Sequence, residues 1–378
     1  MNSLRCLASL ADICAIDWDR CAASTGESYN PFTSHAFLLA LEKSKSAVPR
    51  TGWAASHLVL ENDGQIVGVA PCYLKSHSMG EYVFDHAWAD AFSRAGGAYY
   101  PKLQVSVPFT PATGPRLLAA TAEQRQLLTQ GLVSLCAEKK ASSAHITFAT
   151  EAEAAESKWL QRNDIQFQWL NSGYFSFDDF LASLASAKRK NIRKERRTVF
   201  DAGIVFEHVT GDDLRVEHWD SFYEFYMDTG SRKWGQPYLT RNFFHQIHET
   251  LKKDILLILA KRDGMTIAGA LNFIGGDALF GRNWGCSENH PFLHFETCYY
   301  QAIDFAIGRG LKRVEAGAQG EHKLARGYVP VITHSLHYLA HPGLSRAVAD
   351  YLDHERRAIS ENQQVLADHT PFRHVERE

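Results

Sequence analysis

The sequence lacks several features that would assign it at once to a common class of protein. Its seven Cys are scattered and include no CxxC pair, which excludes a zinc knuckle and a thioredoxin-type motif. A formal net charge of -3 gives no global attraction to DNA or to an acidic membrane. No stretch approaches the roughly 20 apolar residues that span a bilayer, and the N-terminal apolar stretch is too short for a signal peptide. We therefore expect a cytoplasmic protein with reduced thiols and no stable membrane insertion.

One segment of the sequence occurs twice. Residues 57–75 and 256–282 each contain an apolar run, a polar turn ending in Asp-Gly, and a second apolar run interrupted by a glycine. Asp63-Gly64 in the first segment corresponds to Asp263-Gly264 in the second. Asp-Gly between apolar runs is a strong signal for a β-hairpin, because the turn needs positive φ angles that glycine adopts at low cost. A hairpin that recurs after about half of the chain predicts two copies of one domain.

The length of 378 residues also favours two domains. We predict a first domain over 1–168 with an aromatic-rich insertion at 76–116, a second domain over 169–350, and a C-terminal helix and charged tail over 351–378. Each half is predicted to contain a helix, the hairpin, a further helix and a strand, in that order. The elements predicted in the second half and just before it include helices at 151–163, 177–203 and 293–309 and a strand at 311–317.

This order of elements is the central pattern of the GNAT (N-acyltransferase) fold, and the chain resembles the FemAB-like family, a double-GNAT group linked to peptidoglycan biosynthesis or recognition. The segments that carry the resemblance are NPFTSHAFLLALE (30–42), YLKSHSMGEYVFDHAWADAF (73–92), YYPKLQVSVPFTPATGPRLL (99–118), NWGCSENHPFLHFETCYYQAIDFAI (283–307) and VEAGAQGEHKLARGY (314–328). The resemblance implies an α/β fold of two tandem GNAT-like domains with mixed central sheets.

The resemblance also implies an N-acyltransferase or aminoacyltransferase, in which an amine attacks an activated acyl group. The donor would be a co-substrate, either an aminoacyl-tRNA or an acyl-CoA, with no bound cofactor. The acceptor would be a small amine, such as a peptidoglycan precursor. The reaction needs a neutral amine, an acyl carbon within attack distance, and donors for the developing oxyanion. Two alternatives stay open: a CoA-thioester N-acetyltransferase with a non-standard CoA site, and a non-catalytic module that recognises muropeptide or nucleotide-linked ligands.

One absence bears on the acyl donor. A typical acetyl-CoA-dependent GNAT carries R/Q-x-x-G-x-G/A where the helix after its central hairpin begins, and the backbone N–H groups there bind the pyrophosphate. The corresponding segments here are GCSENHPFLHFE (285–296) and RLLAATAEQRQ (116–126), and neither contains this motif. The sequence therefore favours a tRNA-type donor or the binding module.

The residues expected to perform the chemistry lie on the strand LKRVEAG, in the loop after it and on the helix before it. An unpaired carboxylate within an apolar strand would be costly, so Glu315 needs either a function or an ion pair with Arg282 or Arg313. In Fem enzymes this place carries an acidic residue, small glycines and an aromatic-Lys pair, a pattern that Lys323 fits and Arg326 does not. The alternative for Lys323 and Arg326 is that they lie in a solvated loop without a function in the reaction. The predicted catalytic residues are Glu296, Glu315, His322 and Lys323.

Substrate binding is assigned to four regions: this loop, the end of the second hairpin segment, the basic run, and the insertion with Lys75 just before it. The basic run KRKNIRKERR (188–197) suits the phosphate groups of a nucleotide-linked precursor or a tRNA, or is a solvated helix face. The insertion crowds aromatic residues among charges, which suits an acceptor pocket or a domain–domain interface. The predicted substrate-binding residues are Arg282, Trp284, Gln319, Arg326, Lys190, Arg193, Arg197, Lys75 and Tyr82.

A pair of histidines, His290 and His294, precedes Glu296. Two His four residues apart on a helix can bind one metal ion. However, Pro291 places this pair at a loop-to-helix junction, and no HExxH motif is present. We expect no metal site here, and instead a general base near the cleft or a capping or core role.

Overall fold

The structure is a computed structural model that describes residues 2–234, 237–317 and 320–373, with the side chains of 231–234 and 321 left aside. Its strands are β1 (Asn2–Leu7), β2 (Trp53–Ala55), β3 (His57–Asn62), β4 (Gln65–Ala70), β5 (Cys72–Lys75), β6 (Lys102–Val105), β7 (Leu118–Ala119), β8 (Ser143–Ala149), β9 (Leu160–Leu170), β10 (Ile204–Thr210), β11 (Ile255–Arg262), β12 (Met265–Ile274), β13 (Ala278–Cys286), β14 (Arg313–Glu315) and β15 (Tyr328–Leu339).

The helices alternate with these strands along the chain. They are α1 (Ala15–Ala23), α2 (His35–Lys43), α3 (His86–Arg94), α4 (Ala122–Glu138), α5 (Glu151–Glu156), α6 (Phe177–Ser183), α7 (Ser186–Asp201), α8 (Val216–Trp234), α9 (Arg241–Leu251), α10 (Leu293–Phe295), α11 (Gln301–Gly308) and α12 (Pro342–Asp368), with a π-helix (Glu296–Tyr300) between α10 and α11. No helix within the described ranges is long and apolar enough to cross a bilayer.

The chain folds as two units. Unit 1 contains Met1–Asp164, Tyr238–Gln246 and Ile332–Glu361, and unit 2 contains Ile165–Pro237, Ile247–Val331 and Asn362–Glu378. The chain therefore passes from unit 1 to unit 2 close to the boundary predicted at 168/169. Two later segments that the sequence analysis placed in the second or C-terminal region belong to unit 1, and the predicted domain limits stay a prediction.

In unit 1, β3 and β4 form the first hairpin, between β1 and β7. Further pairings join β2, β5, β6, β8 and β15, of which β6 and β8 are parallel and the rest are antiparallel. One face of these strands is apolar: Leu58, Leu103 and Ile146 pack with Leu132 of α4 in a single core. Residues 102–105 of the predicted insertion are therefore a strand of the sheet.

In unit 2, the strand order is β10-β11-β12-β13-β14-β9. The connection from β13 to β14 runs through α10, the π-helix and α11, and β13 and β14 are parallel, as strands joined by such a crossover connection can be. The core lies between the sheet and the helices, where Trp169, Phe180 and Tyr300 pack together with Ile192 of α7. This core holds α7 and the crossover helices next to each other on one side of the sheet.

The two Asp-Gly turns have the same local geometry. Asp63 and Gly64 adopt φ angles of 48° and 81°, and Asp263 and Gly264 adopt 51° and 78°. Both turns join antiparallel neighbours, and both hairpins contain a register shift just before the turn. The prediction of two hairpins is therefore confirmed, and each lies next to an antiparallel strand that precedes it, β1 or β10.

Three predicted elements are corrected by the structure. The helix predicted at 151–163 ends at Glu156, and β9 begins at Leu160. The helix predicted at 177–203 is two helices, because Leu184 and Ala185 are extended and Leu184 is buried in the unit 2 core. The helix predicted at 293–309 changes to a π-helix over five residues, which its amphipathic pattern does not reveal.

Candidate active site

The strands of unit 2 separate where β14 ends. The last parallel pair is Phe280 with Glu315, while β13 continues to Cys286 along β12. At the same place the β12–β13 register shifts by one residue, so Leu271 lies opposite Asn283 and Asn272 opposite Gly281. This is a β-bulge on β13, a feature that redirects the backbone and often lies beside active sites. A Cβ at Gly281 would lie 3.3 Å from the carbonyl oxygen of Glu315, so glycine permits the close approach.

Lys323 lies at this separation of β13 and β14. It belongs to a 3₁₀ helix (Glu321–Arg326), and its Nζ donates to the carbonyl oxygen of Gly317, two residues past the end of β14, at 2.9 Å. The residue is 1% exposed. Burial lowers the pKa of Lys323 from 10.5 to about 8, although the nearby Cys298 partly opposes this. The side chain is therefore still mostly an ammonium at neutral pH.

His322 lies next to Lys323 but is exposed. Its Nε2 is 2.9 Å from the hydroxyl of Tyr299 on the π-helix. Partial burial, together with the positive charges of Arg326 and Lys323, lowers the pKa of His322 below 6.5. The imidazole is therefore neutral at physiological pH, which is the state that accepts a proton.

Arg326 holds the 3₁₀ helix in place instead of facing solvent. Its Nη1 donates to the carbonyl oxygen of His322 at 2.8 Å, and its Nη2 donates to Glu195 of α7 at 2.8 Å. The guanidinium lies 3.4 Å from the ring centroid of Phe295. Tyr300 donates to the same carboxylate of Glu195. Arg326 is thus a positioning residue here, and the predicted direct contact with substrate stays untested.

Glu296 is fully buried and engaged with other groups. Its carboxylate accepts hydrogen bonds from Arg196 at 3.0 and 3.2 Å and from Gln301 at 2.7 Å. Arg196 also donates to Asp304 at 2.9 Å. Burial raises the pKa of Glu296, and Arg196 opposes that rise. This arrangement ties α7 to the crossover helices. It agrees with the core role that the sequence analysis kept as an alternative for Glu296, with Arg196 as the partner that the sequence did not identify.

The remaining residues predicted for this region are Glu315, Arg282, Trp284 and Gln319, and each has different surroundings. Glu315 accepts from Arg313 at 3.1 Å, which is one of the two ion pairs that the sequence analysis considered. Arg282 lies within the bulge, and Trp284 packs edge-to-face on His294 with ring centroids 5.2 Å apart. Gln319 lies outside the described residues.

The predicted phosphate-binding residues Lys190, Arg193 and Arg197 are exposed on α7. They face solvent, whereas Arg196 of the same helix faces the core. Arg193 makes an ion pair of 3.1 Å with the exposed Asp178 of α6. A charged, solvated surface is therefore present at this helix.

Lys75 and Tyr82, the two substrate-binding residues predicted in unit 1, differ in burial. Tyr82 is half-buried with φ of 59°. Lys75 is completely buried: its Nζ is 3.4 Å from the ring centroid of Trp53 and donates to the carbonyl oxygen of Met79 at 3.2 Å. Burial lowers the pKa of Lys75 to about 7, with Glu81 opposing.

Lys75 borders a buried polar network that covers one face of the unit 1 strands. Lys102 donates to Glu81 at 2.7 Å and to Asp85 at 2.5 Å. The network continues from Asp85 through the hydroxyl of Tyr99 to His145, and from His145 to His337, whose Nδ1 atoms are 2.7 Å apart. Burial holds the pKa of both imidazoles low, so both are neutral. Several of the charged and aromatic residues that the sequence analysis noted in and beside the insertion thus belong to a buried polar network, and the acceptor pocket stays a prediction.

Unit 1 has a similar separation of parallel strands, but a side chain fills it. The β6–β8 pairing stops at Val105 and Ile146. Beyond it, Nε of the buried Arg116 donates to the carbonyl oxygen of Thr147 at 3.0 Å, and the N–H of Gly114 donates to Phe148 at 3.1 Å. The backbone acceptors of β8 beyond this pairing are therefore occupied by groups of unit 1 itself, and unit 2 is the better candidate for the reaction.

Sequence reasoning missed three features of this site: the bulge on β13, the π-helix that presents Tyr299, and the Arg196–Glu296 pair. The sequence held one weak signal of the Arg196–Glu296 pair. In a strongly basic helix, any arginine that faces the core needs a buried acidic residue as its partner. Within the described ranges, no group of three or more His, Cys, Asp or Glu could hold a metal ion. His290 instead contacts Glu288 at 2.7 Å.

Solved structures of other proteins share this fold. FemX has a TM-score of 0.57 at 14% identity, covering 89% of this chain and 98% of FemX. L-PGS from Bacillus licheniformis has a TM-score of 0.53 at 10% identity, covering 88% and 96%. A conserved protein of unknown function from Bacteroides thetaiotaomicron has 0.51 at 12% identity, covering 86% and 97%. At these identities the similarity concerns the fold alone, and it agrees with the α/β fold of two GNAT-like halves that the sequence predicts.

The sequence itself defines the family. A family profile described as peptidoglycan biosynthesis/recognition matches residues 9–374, and the chain belongs to this FemAB-like family. No curated protein matches the chain by sequence. The family and the predicted fold class are therefore confirmed, while the reaction and its substrates are matters of proposal.

Proposed function

We propose that this chain is an N-acyltransferase, most specifically an aminoacyltransferase, whose reaction takes place in unit 2 where β13 and β14 separate. The observation that carries the proposal is the coincidence of three features at one place: the end of the β13–β14 pairing, the β13 bulge, and the buried ammonium of Lys323 beside Gly317. Membership of a family linked to peptidoglycan biosynthesis or recognition supports an acceptor of that kind.

In the proposed reaction, a neutral amine attacks the acyl carbon of an ester or thioester, and the carbonyl oxygen becomes an oxyanion. Lys323 would stabilise this oxyanion, since its ammonium is already desolvated before the reaction. His322 would accept the proton that the amine loses and return it to the departing alkoxide or thiolate. Tyr299 would orient the imidazole through its hydroxyl.

The start of the crossover helix supports an aminoacyl ester over CoA as the donor. Phe292 precedes α10 with φ of 65°, and the N–H of Leu293 is hydrogen-bonded to His290. This short helix turn does not present the glycine-rich row of N–H groups that binds a pyrophosphate. The CoA-dependent enzyme and the non-catalytic ligand-binding module remain the alternatives to be tested.

The test is to incubate the purified protein with an amine acceptor and either charged tRNA or acyl-CoA, and to measure acyl release. We expect acceptor-dependent loss of the acyl group from charged tRNA. Release from acyl-CoA alone would indicate the CoA-dependent alternative. Binding of muropeptide without release from either donor would indicate the non-catalytic module.

A further inference from the structure

Helix α7 presents one strongly basic face to solvent. Lys190, Arg193, Lys194 and Arg197 are all exposed. Arg193 and Lys194 each lie three or four residues from both Lys190 and Arg197, which places the four on one side of the helix. The opposite side, with Ile192 and Val199, is buried. This local concentration of positive charge contrasts with the net charge of -3 for the whole chain.

Two exposed phenyl rings border this basic face. Phe200 is 45% exposed and lies three residues after Arg197 and seven after Arg193, so it continues the same side of α7. Phe175 is 94% exposed and lies just before α6, whose Asp178 is paired with Arg193 at 3.1 Å. The ion pair places the start of α6 beside the same edge of the basic face.

Cations and apolar rings in one surface fit one kind of partner best. An anionic bilayer offers phosphate groups to the lysines and arginines and an apolar boundary to the phenyl rings. A single-stranded nucleic acid would also account for the charges and could stack a base on an exposed ring, but the bilayer meets both rings at once without requiring a base at each. A free phosphate or nucleotide would likewise leave the rings in water.

We propose that the face formed by Lys190, Arg193, Lys194, Arg197, Phe175 and Phe200 docks this protein reversibly on an anionic lipid bilayer. The docking is peripheral, and it is consistent with the absence of a spanning helix among the described residues. It does not depend on the proposed reaction, since none of the six side chains belongs to the Lys323 site.

The test is co-sedimentation with vesicles of phosphatidylcholine, either alone or mixed with phosphatidylglycerol. We expect binding only to the mixed vesicles, and weaker binding as salt is raised. Replacing Arg193 and Arg197 with Gln should weaken binding about 30-fold, at about fivefold per cation removed. Phe175→Ser should weaken it about tenfold without changing the salt dependence.

The matched control is the double variant Lys139→Gln and Lys140→Gln, which removes two exposed charges from unit 1 and should bind like the wild type. All variants should keep the wild-type melting temperature, because exposed charges contribute little to stability. Bulk tRNA and inorganic phosphate serve as competitors. Binding to tRNA that depends on Arg193 and Arg197, with no binding to either kind of vesicle, would overturn the proposal, as would equal loss in the Lys139 and Lys140 control.

Discussion

The ammonium of Lys323 lies 2.9 Å from the carbonyl oxygen of Gly317, two residues beyond the end of β14. This single hydrogen bond connects the 3₁₀ helix to the point at which β13 and β14 separate. It keeps a buried positive charge near the end of β14 instead of in water. The proposed chemistry depends on that charge, and the first predictions concern it.

Replacing Lys323 with Met should reduce acyl transfer about a hundredfold or more, since loss of one oxyanion donor typically costs about 2.7–4 kcal/mol of barrier. The melting temperature should not fall, because an apolar side chain of similar length replaces a buried cation. Steady-state kinetics and thermal unfolding provide the two readouts. Full activity of this variant on its true substrate would place the chemistry elsewhere.

The activity should decline as the pH rises through about 8, where Lys323 loses its proton. Stability should change in the opposite direction. The folded pKa of about 8 lies below the ordinary 10.5, so between these values the unfolded chain binds a proton that the folded chain does not. The contribution of Lys323 to stability therefore increases over that window and is lowest below it.

Urea unfolding below and above this window should show the increase in the wild type and not in Lys323→Met. Lys323→Arg supplies the matched comparison for activity, because its guanidinium stays charged. If that variant retains activity, its alkaline decline should disappear. An unchanged decline in an active Arg variant would assign the titration to another group.

Replacing His322 with Gln should lower kcat by about 100-fold or more, as expected for loss of a general base. The wild type should also lose activity on the acidic side, with an apparent pKa below 6.5, because burial and the neighbouring cations disfavour the imidazolium. The exposed position predicts little effect on stability. Tyr299→Phe is the companion variant and should reduce kcat less, since the base itself remains.

Glu296 should behave as a structural residue. Glu296→Ala leaves the buried part of Arg196 without its main partner, and we expect the free energy of unfolding to fall by about 3–5 kcal/mol. The free energy of unfolding should fall less in Glu296→Gln, and this variant should keep most of the activity of the folded protein. A Gln variant with an unchanged melting temperature and lost turnover would instead identify Glu296 as the proton acceptor.

The two buried lysines of unit 1 should differ in their effects on stability. Lys102 is within 2.7 Å of Glu81 and Asp85, so Lys102→Met leaves two buried carboxylates and should lower the free energy of unfolding by about 3–5 kcal/mol. Lys75 is 3.8 Å from Glu81, and Lys75→Met should cost clearly less. Chemical denaturation of the two variants tests this order, and a reversed order would contradict it.

The sequence by itself determined both hairpins and most of the other local elements of this protein. The Asp-Gly turns at 63–64 and 263–264 depend only on the φ angles that these residue types adopt, and the apolar runs beside them are sufficient to define both hairpins. The order of helices and strands then followed from periodicity, and the family from longer matching segments. The family resemblance also pointed to Lys323, which follows an acidic residue and a glycine as the Fem pattern has it.

Only the tertiary structure decided which charged residues meet. Glu296 and Arg196 are 100 positions apart, so no local pattern could show that this carboxylate is occupied. Arg116 fills the separation of β6 and β8 in unit 1, while the corresponding place in unit 2 has the bulge and Lys323. Such pairings depend on burial and on the register of strands distant in sequence. The energy of a buried charge depends on those long-range partners. For this reason the fold could be predicted from the sequence more completely than the candidate site.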